Sequence, residues 1–120
     1  MEMERRKAAR FKGEIYFSFR TKSIFSRQES PIISVKDISA TGLSFIYPET
    51  LPFGQKLILK LYLPMYTKPV KIEAEVKKSE RLADGQYKTG LEFIKISPEI
   101  KKNLEPLTYL ASRVRAKEDL

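Results

Sequence analysis

Apolar and polar residues alternate through most of the chain between residues 13 and 96, and this period of two predicts β-strands. The apolar positions of the six predicted strands are, in order, Ile15-Phe17-Phe19; Ile32-Ile33-Val35, ending at Asp37; Leu43-Phe45-Tyr47; Leu57-Leu59-Leu61-Leu63; Val70-Ile72-Ala74-Val76; and Tyr87-Thr89-Leu91-Phe93. Turn residues separate them, with Leu51-Pro52-Phe53-Gly54 and Asp84-Gly85 giving the strongest signals. Because no helical segment lies between the strands, we expect an antiparallel sheet that forms a closed or nearly closed six-stranded β-barrel.

The period changes after Ile96 and predicts a C-terminal helix. Ser97 is a good N-cap, Pro98 suits the first helical position, and Glu99 complements the helix dipole. An apolar stripe for packing on the barrel follows at helical spacing: Ile100, Leu104, Leu107, Ala111 and Val114. Pro106 lies inside this segment and is expected to kink or divide the helix. The predicted fold class is therefore all-β with a C-terminal helix, organised as a basic arm (1–12), a barrel (13–96) and a helix (97–117).

Composition narrows the possible chemistry. A chain of 120 residues forms one domain. It has no histidine and no cysteine, which removes the commonest general base and metal ligand as well as thiolate metal sites and disulfides. We therefore expect no enzyme, no metal and no cofactor. The net charge of +8 favours anionic partners. No apolar run reaches the ~20 residues of a membrane helix, and the charged N-terminus differs from a signal peptide, so a cytoplasmic protein is expected.

Two short polar motifs carry the candidate chemistry. Arg6-Lys7-Ala8-Ala9-Arg10 precedes the first strand, and Asp37-Ile38-Ser39-Ala40-Thr41-Gly42 lies between the second and third strands. Arginine forks pair with guanine O6 and N7 or with a phosphate, and a carboxylate can accept from the guanine N1–H and amine. Ser39 can donate a hydrogen bond, and Gly42 permits a positive φ or close approach to a ligand. Taken singly, the first motif is also typical of a solvated basic arm, and the second of a hairpin turn.

The order and spacing of the two motifs resemble the PilZ domain family, whose signatures are RxxxR and [DN]xSxxG. Gly54, Ala74-x-Val76 and Gly90-Leu91-x-Phe93 fit its looser pattern, so the resemblance extends over residues 5 to 112. Thr41 departs from members that have two glycines there. PilZ domains bind the bacterial second messenger cyclic di-GMP (c-di-GMP), and the resemblance implies a six-stranded barrel with a C-terminal helix.

The resemblance also implies a ligand site. Arg6 and Arg10 grip guanine and phosphate, while the barrel side of the site is formed by Asp37, Ser39 and Gly42. Arg5 and Lys78 match positions that are often basic in the family, and they are secondary candidates for ligand contact.

The function implied is a single-domain c-di-GMP receptor of second-messenger signalling. Its arm is expected to order on ligand binding and to signal to a protein partner in motility, export or attachment machinery, with no nucleic-acid partner and no membrane span. One alternative is a PilZ-like adaptor that works without ligand. Another is a barrel that binds single-stranded nucleic acid on a platform of Tyr16, Tyr47, Tyr62 and Tyr66.

Overall fold

The computed structural model describes residues 15–22 and 28–106 of the chain. Seven strands lie within these residues: β1 (Tyr16–Thr21), β2 (Ile33–Ser34), β3 (Asp37–Ile38), β4 (Gly42–Tyr47), β5 (Lys56–Tyr62), β6 (Val70–Arg81) and β7 (Tyr87–Lys95). A helix, α1, follows at 98–106. All strand pairings are antiparallel, in the order β2-β1-β5-β6-β7-β4-β3. The predicted class, an antiparallel barrel-type sheet with a C-terminal helix, is confirmed.

The prediction of six strands is wrong at the second strand, which the structure divides in two. Residues 33–34 pair with β1 as β2, and residues 37–38 pair with β4 as β3. The alternation of Ile33, Val35 and Asp37 continues through the division, because alternation reports which side chains face inward and not which strand is the partner. The described part of the chain therefore has seven strands where the sequence pattern suggests six.

The change of partner between β2 and β3 closes the barrel. These strands are the two edges of the sheet, and in a flat sheet of seven strands they would lie roughly 29 Å apart. The three chain steps from Ser34 to Asp37 span at most about 10 Å. The sheet must therefore curl until its edges meet. The hydrogen bonds show the junction, because Val35 N–H donates to the Ile15 carbonyl at 2.9 Å and Lys36 N–H to the Ser44 carbonyl at 2.8 Å.

The inward-facing residues of all the longer strands form one core. The core contains a cluster of four aromatic side chains. Phe17 and Phe45 meet edge-to-face with ring centroids 4.9 Å apart, and the ring centroids of Phe19 and Tyr47 are 5.4 Å apart. Such pairs contribute about 0.5–1.5 kcal/mol beyond their buried area. The alternating leucines of β5 are fully buried, as are Ile72, Ala74 and Val76 of β6. The core therefore uses the positions that the alternation selects.

Helix α1 begins with the predicted cap. Ile100 N–H donates to Ser97 Oγ at 3.2 Å, and Lys101 N–H donates to the Ser97 carbonyl at 3.0 Å. Leu104 is fully buried in the barrel core, and Ile100 packs against that core. The described helix ends at Pro106, and the rest of the predicted stripe, Leu107, Ala111 and Val114, lies outside the described residues.

Gly42 is required by strand packing and not by a positive φ. Among the described glycines, the positive φ values belong to Gly54 (83°) and Gly85 (90°), which form the two turns expected from the sequence. A Cβ on Gly42 would lie 2.1 Å from the carbonyl oxygen of Leu91, far inside contact distance. The expectation that Gly42 serves a left-handed turn is therefore corrected, whereas close approach of a ligand at Gly42 stays a prediction. Gly42 lets β4 and β7 come together.

Gly42→Ala is expected to lower the free energy of unfolding by about 1–3 kcal/mol, because β7 must move to admit the methyl group. Gly90→Ala is the matched control on the facing strand, since a Cβ there would lie 3.8 Å from the nearest atom, Lys78 Cβ. It should change the free energy by less than about 0.5 kcal/mol. Urea denaturation measures both, and equal effects of the two substitutions would contradict this role for Gly42.

A cluster of opposite charges lies on the outer face of the sheet around Glu73. Its side chain is 10% exposed; Lys22 Nζ lies 3.0 Å from one carboxylate oxygen and Lys95 Nζ 4.0 Å from the other. The hydrogen bond from Lys22 holds the pKa of Glu73 below its usual value, against the opposing effect of burial. The folded protein therefore favours the ionised form of Glu73.

Glu73→Gln should lower the urea midpoint at neutral pH. Because the folded pKa is lowered, the stabilisation by ionised Glu73 is complete above its ordinary value of 4.5 and is lost as the pH falls through the folded pKa. The midpoints of wild type and variant should therefore converge in acid. Glu49→Gln, at an exposed glutamate after β4, is the control and should leave the midpoint nearly unchanged. A difference in urea midpoint between wild type and Glu73→Gln that does not vary with pH would contradict a stabilising role for ionised Glu73.

Candidate functional site

A row of four residues crosses the outer face of the barrel from β3 to β6. Asp37 lies opposite Ser44, Ser44 opposite Gly90, and Gly90 opposite Lys78. The two central positions carry little or no side chain, so the surface sinks between larger neighbours. The resulting open cleft has a volume of about 420 Å³. That lies within the usual range for small-molecule sites.

Asp37 stands at one end of this row, where the barrel closes. Its Oδ2 accepts a hydrogen bond from Ser44 Oγ at 3.1 Å, and Lys88 Nζ lies 3.9 Å from the same oxygen. The carboxylate is therefore fixed by its neighbours on β4 and β7 and borders the cleft. A carboxylate so placed can accept hydrogen bonds from paired N–H donors such as those of a guanine edge.

The four residues that follow β3 make a tight turn that brings Ser39 to the cleft. Ser39 N–H donates to the Gly42 carbonyl at 2.9 Å, and Thr41 N–H donates to Ser39 Oγ at 3.1 Å. The Ser39 and Thr41 hydroxyls also share a hydrogen bond of 3.0 Å. The expected serine-type turn is thus formed, and Ser39, Thr41 and Gly42 of this turn also line the cleft. Thr41, the departure from the family pattern, thus contacts the Ser39 hydroxyl through both its backbone and its side chain.

A β-bulge in β6 adds a cation to the cleft wall. Val76 pairs with Leu91 and Lys78 with Gly90, so Lys77 is an extra residue between them and lies exposed beside Lys78. Lys77 pairs with Glu75 and lies 3.8 Å from Glu92. The hydrogen bond with Glu75 raises the pKa of Lys77 and lowers that of Glu75. Lys77 therefore stays charged at the edge of the cleft.

The charged residues that line the cleft balance one another. Asp37 and Glu92 are acidic, and Lys77 and Lys88 are basic. An anionic ligand would consequently need further positive charge from outside this lining.

The predicted site residues fall into three groups. Asp37, Ser39 and Gly42 come together at the cleft. Arg5, Arg6 and Arg10 lie outside the described residues. Lys78 occupies the same cross-strand row, but its side chain is 66% exposed and pairs with Glu80 at 2.7 Å, whereas its neighbour Lys77 lines the cleft.

Four further polar or charged residues, outside the two motifs, line the cleft and were not predicted from the sequence: Ser44, Lys77, Lys88 and Glu92. The signal for three of them was present, because Ser44, Lys88 and Glu92 occupy the outward positions of alternating strands that flank the motif. The position of Lys77 depends on the bulge and on the β6–β7 register, which alternation does not specify.

Other kinds of site find little support in the described residues. Of the four tyrosines of the possible nucleic-acid platform, Tyr47 and Tyr66 pack against the core, and the Tyr66 hydroxyl accepts from Asn103 Nδ2 at 2.7 Å. Tyr16 and Tyr62 are exposed and directly opposite each other on β1 and β5.

Within residues 15–22 and 28–106 no group of acidic side chains is arranged to hold a metal ion. Helix α1, the helix of this part of the chain, is neither long nor apolar enough to span a membrane.

Two solved structures share the fold at low sequence identity. The first is the Bacillus subtilis inhibitor of motility MotI/DgrA, with a TM-score of 0.62 and 23% identity over 86% of this chain and 48% of that one. The chain thus spans about half the length of that protein. The second is the PilZ domain of YcgR from Escherichia coli with c-di-GMP, with a TM-score of 0.51 and 16% identity over 88% of each chain. Among curated proteins, none matches this chain.

The family assignment rests on the sequence as a whole. The model of the PilZ domain matches residues 4–110, which include both polar motifs, the whole barrel and α1. PilZ domains are a family of c-di-GMP receptors and not of enzymes. This chain belongs to the PilZ domain family.

Proposed function

We propose that this protein is a c-di-GMP receptor whose N-terminal arm docks over the cleft when the ligand binds, and that the complex acts on a protein partner. The observation that carries the proposal is the shared position of Asp37 and Ser39 on one cleft that Lys77 and Lys88 also line. In this arrangement Asp37 accepts from the N1–H and amine of a guanine. The Ser39 hydroxyl and the two lysines lie where they can meet the phosphates of the same ligand.

The charge of the cleft gives the arm its role. Two acids and two lysines leave the described lining without net positive charge, whereas c-di-GMP carries two phosphates. Arg6 and Arg10 supply the missing charge and the planar forks that pair with phosphate or with guanine O6 and N7. The ligand then contacts the arm on one side and the barrel on the other. It shifts the arm toward the docked position only to the extent that it binds this position more tightly than any other.

Calorimetric titration with c-di-GMP, and GTP as a control ligand, tests the binding step. Asp37→Asn should weaken binding of c-di-GMP by about tenfold or more, because a neutral amide replaces a charged acceptor. Asp84→Asn is the matched control. Asp84 lies in the β6–β7 turn, where asparagine is equally suited. Equal affinities of the two variants would contradict the site.

Arg6→Ala and Arg10→Ala test the arm in the same titration. Each should cost on the order of 1–3 kcal/mol of binding free energy, as the loss of a bidentate base contact does. Arg81→Ala, at the exposed end of β6, removes an arginine beyond the cleft lining and should leave the affinity unchanged. Full affinity in both arm variants would favour a receptor that does not use the arm. A wild-type protein that binds no c-di-GMP would favour the ligand-independent adaptor.

Limited trypsin digestion tests docking of the arm. Saturating c-di-GMP should slow cleavage after Arg5, Arg6 and Arg10, because a residue held against the barrel cannot enter the protease. Cleavage after Arg113 and Arg115 in the C-terminal segment serves as the internal control and should continue at its former rate. Mass spectrometry identifies the fragments. If the ligand binds and leaves all cleavage rates unchanged, the proposed docking of the arm is wrong.

A further inference from the structure

Phe53 is the large hydrophobic side chain with the greatest exposure among the described residues, at 77%. It lies in the connection between β4 and β5, and the neighbouring Leu51 packs against the core. Leu51 therefore anchors this connection to the core, whereas Phe53 does not pack against the core. A phenylalanine kept in water contributes little to folding, and its ring remains accessible to a ligand.

The backbone around Phe53 is held firmly beside β6. Gly54 N–H donates to the Val76 carbonyl at 2.8 Å, and Val76 N–H donates to the Gln55 carbonyl at 2.9 Å. Gln55 N–H closes the turn on the Pro52 carbonyl at 3.2 Å, and Gly54 has the positive φ of 83° that this turn needs. The turn thus holds the Phe53 backbone at a fixed place beside β6.

That place adjoins the wall of the c-di-GMP cleft. Lys77 Nζ lies over the Phe53 ring, 5.8 Å from its centroid, in a cation–π contact. The same ammonium lies 3.8 Å from Glu92, and both Lys77 and Glu92 line the cleft. Lys77 is therefore shared between the cleft and the aromatic ring, and Phe53 forms the rim just beyond it.

We propose that Phe53 extends the c-di-GMP site as a stacking surface for a guanine base, with Lys77 pairing with the adjacent phosphate. A flat apolar ring beside a cation matches the two parts of a nucleotide, a flat base and a charged phosphate. This inference rests on the proposed function and adds a residue that lies outside both polar motifs. It places one base of the ligand at the β4–β5 turn and the other end at Asp37.

The position of Phe53 favours a nucleotide over a protein partner. Protein interfaces gather several large side chains around a central anchor. The other exposed aromatic residues of the described sheet, Tyr16 and Tyr62, lie on β1 and β5, whereas the cleft is formed by β3, β4, β6 and β7. Phe53 instead has as its neighbour a lysine that lines the nucleotide cleft.

Four variants of the full chain, titrated with c-di-GMP by calorimetry, test the stack. Phe53→Ala should lower the affinity about tenfold, the usual effect of losing one base–aromatic stack. Phe53→Leu keeps an apolar side chain without a flat ring and should lose as much, whereas Phe53→Tyr should retain wild-type affinity. Tyr62→Ala removes an exposed aromatic residue away from the cleft and should have no effect.

A tryptophan at this position gives an independent signal. The chain has no tryptophan, so Phe53→Trp introduces a single tryptophan whose emission can be excited separately from that of the six tyrosines. Stacking of guanine on the indole should quench its emission, with the same dissociation constant that calorimetry gives. GTP at twice the concentration, which supplies the same amount of guanine, serves as the control for light absorption by guanine. An emission that c-di-GMP leaves unchanged while calorimetry shows binding would overturn the stack.

The outcomes separate this inference from the proposed function. If wild type binds and Asp37→Asn loses affinity while Phe53→Ala does not, the receptor function stands and the stack is wrong. If wild type binds no c-di-GMP, both are wrong. If Phe53→Ala keeps the nucleotide affinity but loses a partner that wild type retains in a pull-down, Phe53 belongs to a protein interface, which also overturns the stack.

Discussion

The passage of the chain from one edge of the sheet to the other at residues 33–38 is the constraint on which the structure depends. Val35 N–H donates a hydrogen bond to the Ile15 carbonyl and Lys36 N–H donates one to the Ser44 carbonyl. Two consecutive residues thus connect the opposite edges of the sheet. The barrel closes there because the segment from Ser34 to Asp37 is too short to connect the two edges of a flat sheet. Asp37 is the next residue. The same step that closes the barrel thus places the carboxylate beside β4 and at the end of the cleft.

Asp37, Ser39 and Gly42, the defining residues of the motif at 37–42, consequently have different roles. Gly42 allows β4 and β7 to approach, since a Cβ there would collide with the Leu91 carbonyl. Ser39 closes the turn through its hydroxyl and reaches the cleft, and Asp37 is fixed by Ser44 at the cleft border. The motif is therefore partly a requirement of the fold. In the function proposed for this chain, recognition of the anion depends in addition on the N-terminal arm.

Much of this architecture follows from the sequence because alternation and turn chemistry are local. The buried positions of β4 to β7, the turn at Asp84-Gly85 and the cap at Ser97 each depend on a few neighbouring residues, and the structure has them as expected. The division of the second strand is different, since Ile33 and Asp37 keep one alternation while they change partners. The bulge at Lys77 is a property of the β6–β7 pair. Both depend on partner and register, which a single strand does not encode.

The cleft shows the same division between local and non-local information. Asp37, Ser39 and Gly42 could be identified from the sequence because one short motif contains them, and its turn folds on itself. Lys77 and Lys88 come from distant parts of the chain and reach the cleft only through sheet pairing. Their charges cancel those of Asp37 and Glu92, so the described lining offers no net attraction for an anion. In the function proposed for this chain, that attraction comes from Arg6 and Arg10 of the N-terminal arm. Ligand binding would then be coupled to the position of the arm, because neither half of the site satisfies the ligand alone.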